Sequence, residues 1–390
     1  MCLKHVLKTM LVVAVAAGGL CRTAAAEDAT ALIDPVIMQM IVAGNVQQQK
    51  VAPLQRLENM LRYSYVHNES LLAARAGMKT AQEKMPRSLA PTSRAMNAVF
   101  ARRAFLMAQE QDVMRAVASV YMDVSRDVAL LDLSQKIFEL VEDQRKLTKT
   151  DLTKVNTQLA HADAARVAAQ DNLQKSRAAF ARVIGRPVEE VGEPQLDFPI
   201  PGNRDDAVAL AEKYNPTMVA MHFLQRARKK DIDLVFGTPL PEDGVSGRQG
   251  YQFDWKQGWT QAVNLSHIQE EAAANWAVWR TAYAVVDSRR AEAEAARIAR
   301  DGVNQEIKRG ARTILDALHV DQKYIEAQMA LVAAERDAVV ATFSLAGTLG
   351  MLSPEVLGFS GLKEGYDAHF DDIMWRVLRA DVDIAGTSSH

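Results

Sequence analysis

The sequence has almost no cysteine. Cys2 and Cys21 are its two cysteines in 390 residues. Residues 1–26 carry basic side chains, then an apolar stretch, then three alanines that end at Ala26, a pattern typical of a secretory signal peptide. Lipidation of Cys21 is the alternative, and the bulky Leu20 before it argues against that. Cleavage after Ala26 would leave a cysteine-free mature chain, which excludes disulfides, cysteine zinc sites and thiol nucleophiles.

The sequence also lacks a charge excess and the motifs of common active sites. Its net charge is −2 with both signs mixed, which argues against nucleic-acid binding. After the N-terminal segment, no apolar run reaches the roughly 18 residues of a membrane-spanning helix. Its eight histidines are scattered, and no hydrolase, zinc-protease or phosphate-loop motif is present. We therefore predict no enzymatic activity, no catalytic residue, no cofactor and no metal site.

Helix-breaking residues are missing over long stretches. Neither proline nor glycine occurs in 92–184 or in 259–301, and no proline lies between 242 and 353. Aromatic residues make up 6% of the chain. Stretches so poor in breaking residues predict long helices.

Two of these stretches carry a heptad pattern of apolar residues, which predicts coiled-coil packing. The first seam comprises Leu152, Val155, Leu159, Ala162, Ala169, Leu173, Phe180 and Val183. The second comprises Ala317, Val320, Tyr324, Ala327, Leu331, Ala334, Ala338, Ala341 and Leu345, so that Ala317 lies 165 positions after Leu152. A similar sequence ends each seam, VIGRP at 183–187 and TLGMLSP at 348–354. Glycine there predicts a left-handed helix cap, and the proline beyond it prevents continuation.

The repeated seams predict an internal duplication. The segments NESLLA at 68–73 and NPTMVA at 215–220 mark the front of each half. Each half is predicted to consist of a short helix, a connector and two long helices joined by a tight turn. The fold class is thus mainly all-α, with two long antiparallel coiled-coil hairpins. The predicted boundaries are a signal peptide at 1–26, repeats at 27–185 and 205–353, a proline- and glycine-rich linker at 186–204, and a tail at 354–390.

The turn of the second hairpin resembles a known family. Residues 308–318 read KRGARTILDAL, which is similar to the tip motif of TolC-type outer-membrane efflux and secretion channels. Residues 147–152, LTKTDL, are a weaker counterpart in the first hairpin. The resemblance covers most of the mature chain and includes the family's twofold repeat. It implies a homotrimer whose hairpins form a periplasmic tunnel, and whose tips meet a periplasmic adaptor and an inner-membrane transporter.

The family's membrane β-barrel is hard to place in this sequence. A membrane strand needs about 9–11 residues, and the first connector, 82–95, cannot hold two. In the second connector, apolar and polar residues alternate over 251–265, which predicts at most one β-hairpin, with 231–236 as the partner strand. The aromatic residues of that segment are the candidate membrane contacts: Tyr251, Phe253, Trp255 and Trp259. The alternative is that they close the blunt end of the helical bundle.

The resemblance also implies an entrance at the hairpin tips. By motif match, Arg312 and Asp316 take the positions of a latching arginine and an entrance acid, and Thr150 and Asp151 take those of the arginine's partners. The second acidic position holds His319, which suggests a charge that changes near pH ~6.5. Two further residues belong to the second turn, Gly310 and Thr313. The alternative is a solvated tip whose exposed ion pairs contribute ~0–1 kcal/mol each.

Two functions follow from these patterns. The first is a passive tunnel component for efflux or type I-like secretion in the periplasm or outer membrane of a Gram-negative cell. The second is a periplasmic scaffold or assembly protein that keeps the hairpins and lacks the pore. Asp316 and His319 lie three residues apart on one helix face, and we interpret them as structural and not as half of a metal site.

Overall fold

The protein is mainly helical, in a computed structural model that describes residues 56–84, 94–147, 152–188, 191–192, 198–236, 245–309, 311–312, 314–354, 356–357 and 368–387. These residues contain nine helices and no strand, so the all-α prediction is confirmed. The helices are α1 Leu57–His67, α2 Glu69–Glu83, α3 Arg94–Leu147, α4 Leu152–Ile184, α5 Arg204–Tyr214, α6 Pro216–Phe236, α7 Val245–Lys308, α8 Ile314–Thr348 and α9 Ala368–Thr387. The predicted signal peptide, including Ala26, lies outside the described residues.

Two long antiparallel hairpins dominate the architecture. Helix α3, with 54 residues, packs along α4, with 33, and α7, with 64, packs along α8, with 35. At 1.5 Å per residue, α7 is about 96 Å long and α8 about 52 Å. The predicted seam residues whose side chains are described are buried or half-buried, and none is exposed. Burial of this face therefore holds each hairpin together, as the heptad pattern predicts.

Each hairpin ends at a glycine in the left-handed conformation. Gly185 follows α4 with a φ of 82°, and Gly350 follows α8 with a φ of 75°. The N–H of Gly185 donates to the carbonyl of Ala181 at 2.8 Å, and the N–H of Met351 donates to the carbonyl of Ala346 at 2.8 Å. These bonds satisfy carbonyl groups that a helix end leaves without partners. The glycine caps predicted from the sequence are confirmed.

A repeated asparagine corner precedes each hairpin. Asn68 ends α1 and caps α2, because its side-chain oxygen accepts from the N–H of Leu71 at 3.2 Å. Asn215 ends α5 and precedes α6, and its side-chain oxygen accepts from the N–H of Thr217 at 2.9 Å. Asparagine is favoured at such positions because its short side chain satisfies an unpaired N–H at a helix start. Each half therefore has two short helices before its hairpin, whereas the sequence analysis predicts one.

The two hairpins share one core. It forms where α3 packs against α8, and the short helices cover it. Tyr65, Tyr121, Phe180 and Phe343 are its largest fully buried members. The hydroxyl of Tyr121 donates to the carbonyl of Gly192 at 3.0 Å and accepts from its N–H at 2.8 Å. Burial of this hydroxyl raises the pKa of Tyr121 to about 12, with the Gly192 hydrogen bond acting in the opposite direction. Through Tyr121, the core thus also holds Gly192 of the linker between the halves.

The strand prediction for the second connector is wrong. Residues 251–265 belong to α7, and 231–236 belong to α6. Tyr251, Trp255 and Trp259 are spaced by four residues, so the same pattern also fits one face of a helix. Because no proline lies between 242 and 353, the helix extends through this segment. Within the described residues, no helix is long and apolar enough to span a membrane.

Candidate functional site

The candidate site is the second tip, residues 309–313, where α7 turns into α8. Helix α7 ends at Lys308 and α8 begins at Ile314. The N–H of Ala311 donates to the carbonyl of Glu306 at 2.9 Å, and the N–H of Arg309 donates to the same carbonyl at 3.1 Å. Two backbone hydrogen bonds thus converge on one residue and set the direction in which the chain leaves α7. The predicted tip residues Gly310 and Thr313 lie outside the described residues.

The predicted latch arginine pairs within its own hairpin. The Nε of Arg312 lies 2.6 Å from Oε2 of Glu306, and both side chains are about half exposed. Glu306 therefore receives backbone donors on its carbonyl and a guanidinium on its carboxylate. At this exposure the pair contributes only ~0–1 kcal/mol. A weak pair of this kind leaves the arginine able to exchange partners.

The predicted partners of the latch in the first hairpin, Thr150 and Asp151, lie outside the described residues. On the second hairpin, Asp316 is half-buried in the first turn of α8, and His319 is exposed one turn later. The structure thus places Arg312, Asp316 and His319 at the same end of one hairpin. At the end of α3, the Nζ of Lys146 lies 3.0 Å from a carboxylate oxygen of Asp143.

A ladder of charged groups continues up the second hairpin from the tip. The Nη2 of Arg297 lies 2.7 Å from Glu294, and its Nη1 lies 3.1 Å from Asp301. The guanidinium carbon of Arg300 lies 4.5 Å from the centre of the Tyr324 ring, which places a cation over an aromatic face across the hairpin. Burial raises the pKa of the Asp321 carboxyl, and the nearby Arg300 charge partly opposes that shift. Next to the tip, the second hairpin therefore carries many charged side chains, and a cation–π contact joins its two helices.

A polar contact joins the two hairpins midway along their length. Arg336 of α8 reaches Oδ1 of Asp123 in α3 with its Nε at 2.9 Å and its Nη2 at 2.8 Å. Asp123 is also 3.5 Å from Arg126, whose Nε donates to Asp127 at 2.8 Å. The hydroxyl of Ser176 in α4 donates to the other oxygen of Asp127. We call this chain of contacts across α8, α3 and α4 the mid-hairpin brace.

Glu306 is a residue that the sequence analysis misses, although it leaves a signal. An acidic side chain in the last turn of a helix is unfavourable, because the carbonyl end of the helix carries partial negative charge. Glu306 occupies that turn of α7, so its position indicates a nearby cation. The brace leaves no such signal, because Asp123 and Arg336 are 213 residues apart in sequence.

The remaining predictions concern the aromatic residues of the second connector and the absence of a metal site. Tyr251, Phe253, Trp255 and Trp259 belong to α7, and their side chains lie outside the described part of the structure. Among the described residues, no group of histidine, cysteine and acidic side chains could hold a metal ion.

The chain is similar to known outer-membrane proteins. It is 24% identical over 332 residues to the outer membrane efflux protein BepC of Brucella suis biovar 1 (strain 1330), covering 72% of this chain and 73% of that protein. Its fold is similar to that of the open-state MtrE outer membrane channel of Neisseria gonorrhoeae, with a TM-score of 0.60 at 14% identity, covering 78% of this chain and 95% of the channel. For the outer membrane protein VceC of Vibrio cholerae the TM-score is 0.56 at 15% identity, covering 75% and 96%. No protein-family model matches the chain.

Proposed function

We propose that this chain is one subunit of a passive efflux or secretion conduit. The premise is that the chain has the TolC-type channel fold and is similar in sequence to an outer-membrane efflux protein. The premise agrees with the resemblance seen in the tip motif, and the proteins it rests on are an outer membrane efflux protein and an outer membrane channel. The conduit lies in the outer membrane and periplasm of a Gram-negative envelope. An inner-membrane transporter supplies the energy, and a periplasmic adaptor joins the two at the hairpin tips.

The observation that carries this proposal is the side-by-side packing of two long hairpins in one chain. Helix α3 of the first hairpin lies against α8 of the second, so the two hairpins pack as one layer and not as two separate rods. Such a layer is long in one direction and thin in another. Several copies arranged around an axis would enclose a tunnel, whereas a single copy encloses nothing.

Exposed apolar side chains on the long helices support assembly of several copies. Val167 on α4 is 52% exposed, and Val278 and Ile298 on α7 are 57% and 59% exposed. An apolar side chain gains free energy when a partner removes its surface from water. We propose that a homotrimer covers them, with each hairpin packing against the hairpin of a neighbouring copy.

The second tip is the proposed entrance. In this proposal Arg312 exchanges between two carboxylates, Glu306 on its own hairpin and Asp151 on the first tip. The contact with Asp151 latches the entrance, and the contact with Glu306 releases it. Asp316 and His319 line the opening, and the adaptor meets both tips.

The test measures size and conductance of the full chain. In detergent we expect a trimer by light scattering, and in planar bilayers we expect discrete channel openings. The variant Arg312→Ala removes the latch and is expected to raise the open fraction severalfold. Arg289→Ala is the matched control, because Arg289 pairs with Glu292 on the same helix at similar exposure. Unchanged gating in Arg312→Ala would contradict the latch while leaving the conduit intact.

A scaffold or assembly role is the second candidate, and one observation favours it. Residues 251–265, predicted to contact the membrane as a strand, are helical in α7. A monomer or dimer that stays in plain buffer, does not bind liposomes and forms no channels would support the scaffold and overturn the conduit.

A further inference from the structure

Four charged side chains form a cluster far from the tips. Arg103 of α3 binds Asp371 of α9 through two parallel hydrogen bonds, from Nε at 2.7 Å and from Nη2 at 2.8 Å. Its Nη1 donates to Oε2 of Glu110 at 3.2 Å. The other oxygen of Glu110 accepts from Nη2 of Arg75 in α2 at 3.0 Å. The cluster therefore runs from α2 through α3 to the C-terminal helix.

The cluster is buried and electrically neutral. Its four side chains retain at most 8% of their exposure, and two positive charges face two negative ones. The guanidinium of Arg75 also lies over the Tyr65 ring, 4.0 Å from its centre, and donates to the Tyr65 carbonyl. Burial acts to lower the pKa of Arg103, but the charges of Asp371 and Glu110 outweigh it and raise that pKa.

The same end of α9 is anchored by apolar contacts to both halves of the chain. Phe370, beside Asp371, packs on Phe100 of α3 with ring centres 5.1 Å apart, and Phe100 packs on Phe223 of α6 at 5.0 Å. One helical turn later, Trp375 faces Tyr214 of α5 at 6.3 Å. Helix α9 thus contacts α3 of the first half and α5 of the second, and it shares one hydrophobic cluster with Phe223 of α6. Arg103 lies 44 residues before the end of α3, about 66 Å from the first tip.

We propose that α9 is a strap that closes the end of the molecule remote from the tips, with the Arg103–Asp371 pair as its buckle, and that neutralising Asp371 releases the strap as one unit. A buried ion pair is nearly balanced against its loss of hydration, so the closed state needs both charges. With a neutral side chain at 371, two arginines would share the single charge of Glu110. Detachment of α9 then becomes favourable, because water can hydrate the guanidinium of Arg103 once α9 no longer covers it.

The strap goes beyond the proposed function and does not depend on it. Its opening would uncover a groove with arginines at one end and the Phe100 and Phe223 rings along its floor. The chemistry of that groove fits an amphipathic helix that carries a carboxylate, and α9 itself is such a helix.

Hydrogen exchange of the full-length protein tests the strap. Asp371→Asn is expected to speed amide exchange in 368–379 by about 100-fold or more, since removing one partner of a buried pair is strongly destabilising. Exchange in α4 and α8 should remain unchanged. Asp372→Asn is the matched control, because Asp372 makes a more exposed pair with Arg376 on the same helix. Equal exchange in the two variants would overturn the proposal, and so would a uniform rise over all helices.

A charge-balanced variant distinguishes the effect of the Arg103–Asp371 charge pair from a general loss of stability. Arg103→Met combined with Asp371→Leu removes one charge of each sign and leaves Arg75 paired with Glu110. Exchange in α9 should then return to within about tenfold of the parent protein, because apolar residues can replace a buried pair at little cost. If the double variant is as open as Asp371→Leu alone, charge balance does not hold the strap. This comparison also applies where Asp371→Asn fails to fold.

Discussion

At the scale of single residues, the two glycine caps look alike in sequence and differ in their surroundings. Both have a positive φ, which other residues adopt at a cost. A Cβ at Gly185 would meet nothing within 4 Å, whereas a Cβ at Gly350 would lie 2.2 Å from the carbonyl oxygen of Tyr214. Gly350 thus allows α5 to approach the end of α8.

This difference gives a prediction for alanine substitution. Gly185→Ala should cost about 1–2 kcal/mol of unfolding free energy, from backbone strain alone. Gly350→Ala should cost about 2–5 kcal/mol, because backbone atoms of α5 must also move. Urea denaturation followed by circular dichroism measures both. Equal losses in the two variants would contradict the close approach of Tyr214.

At the scale of helices, the mid-hairpin brace joins elements that no local pattern connects. The side chains of Asp123 and Arg336 are 27% and 21% exposed, so solvent weakens their attraction only in part. Apolar packing alone lets α3 and α8 slide along each other. The brace fixes their register, because two donors of the Arg336 guanidinium must both reach one oxygen of Asp123.

A double-mutant cycle should measure this contribution. We expect a coupling of about 1 kcal/mol between Asp123→Asn and Arg336→Gln in urea denaturation. The comparison pair is Asp132 and Lys136, which are four residues apart on α3 and more than half exposed. Their coupling should not exceed about 0.5 kcal/mol. A coupling at Asp123 and Arg336 as small as that of the control would show that apolar packing alone sets the register.

At the scale of the whole molecule, we predict that stability in acid depends in part on a half-buried histidine that the sequence does not single out. Burial lowers the pKa of His222 in α6, and the charge of Arg226 lowers it further. The unfolded chain therefore binds a proton at this site at a higher pH than the folded chain does. Its contribution is present above about pH 6.5 and is lost as the pH falls through the lowered pKa.

The unfolding free energy should consequently decrease between about pH 7 and pH 5, with a slope from this group of at most about 1.4 kcal/mol per pH unit. His222→Gln should reduce that slope, because the half-buried imidazole is then replaced by a side chain that does not titrate. Urea denaturation at several pH values provides the measurement. A slope that His222→Gln leaves unaltered would assign acid sensitivity to other groups.

The heptad seams and the glycine caps could be predicted from the sequence, because each depends on residues close together in the chain. Spacing alone decides which face of a helix is apolar, and a left-handed cap needs only its own glycine. The segment 251–265 could not, since its pattern fits both a strand and a helix. Continuity with the rest of α7 decides between them.

The sequence by itself therefore determined the two hairpins, their turns and the resemblance of the second tip to a channel family. The tertiary structure alone decided which charges meet. Arg336 pairs with Asp123, 213 residues earlier, and Arg103 with Asp371, 268 residues further along. Ion pairs between residues far apart in the sequence follow no local spacing, and their partners depend on how whole helices are placed. The seams hold each hairpin together, and these pairs fix how the hairpins and the C-terminal helix lie against one another.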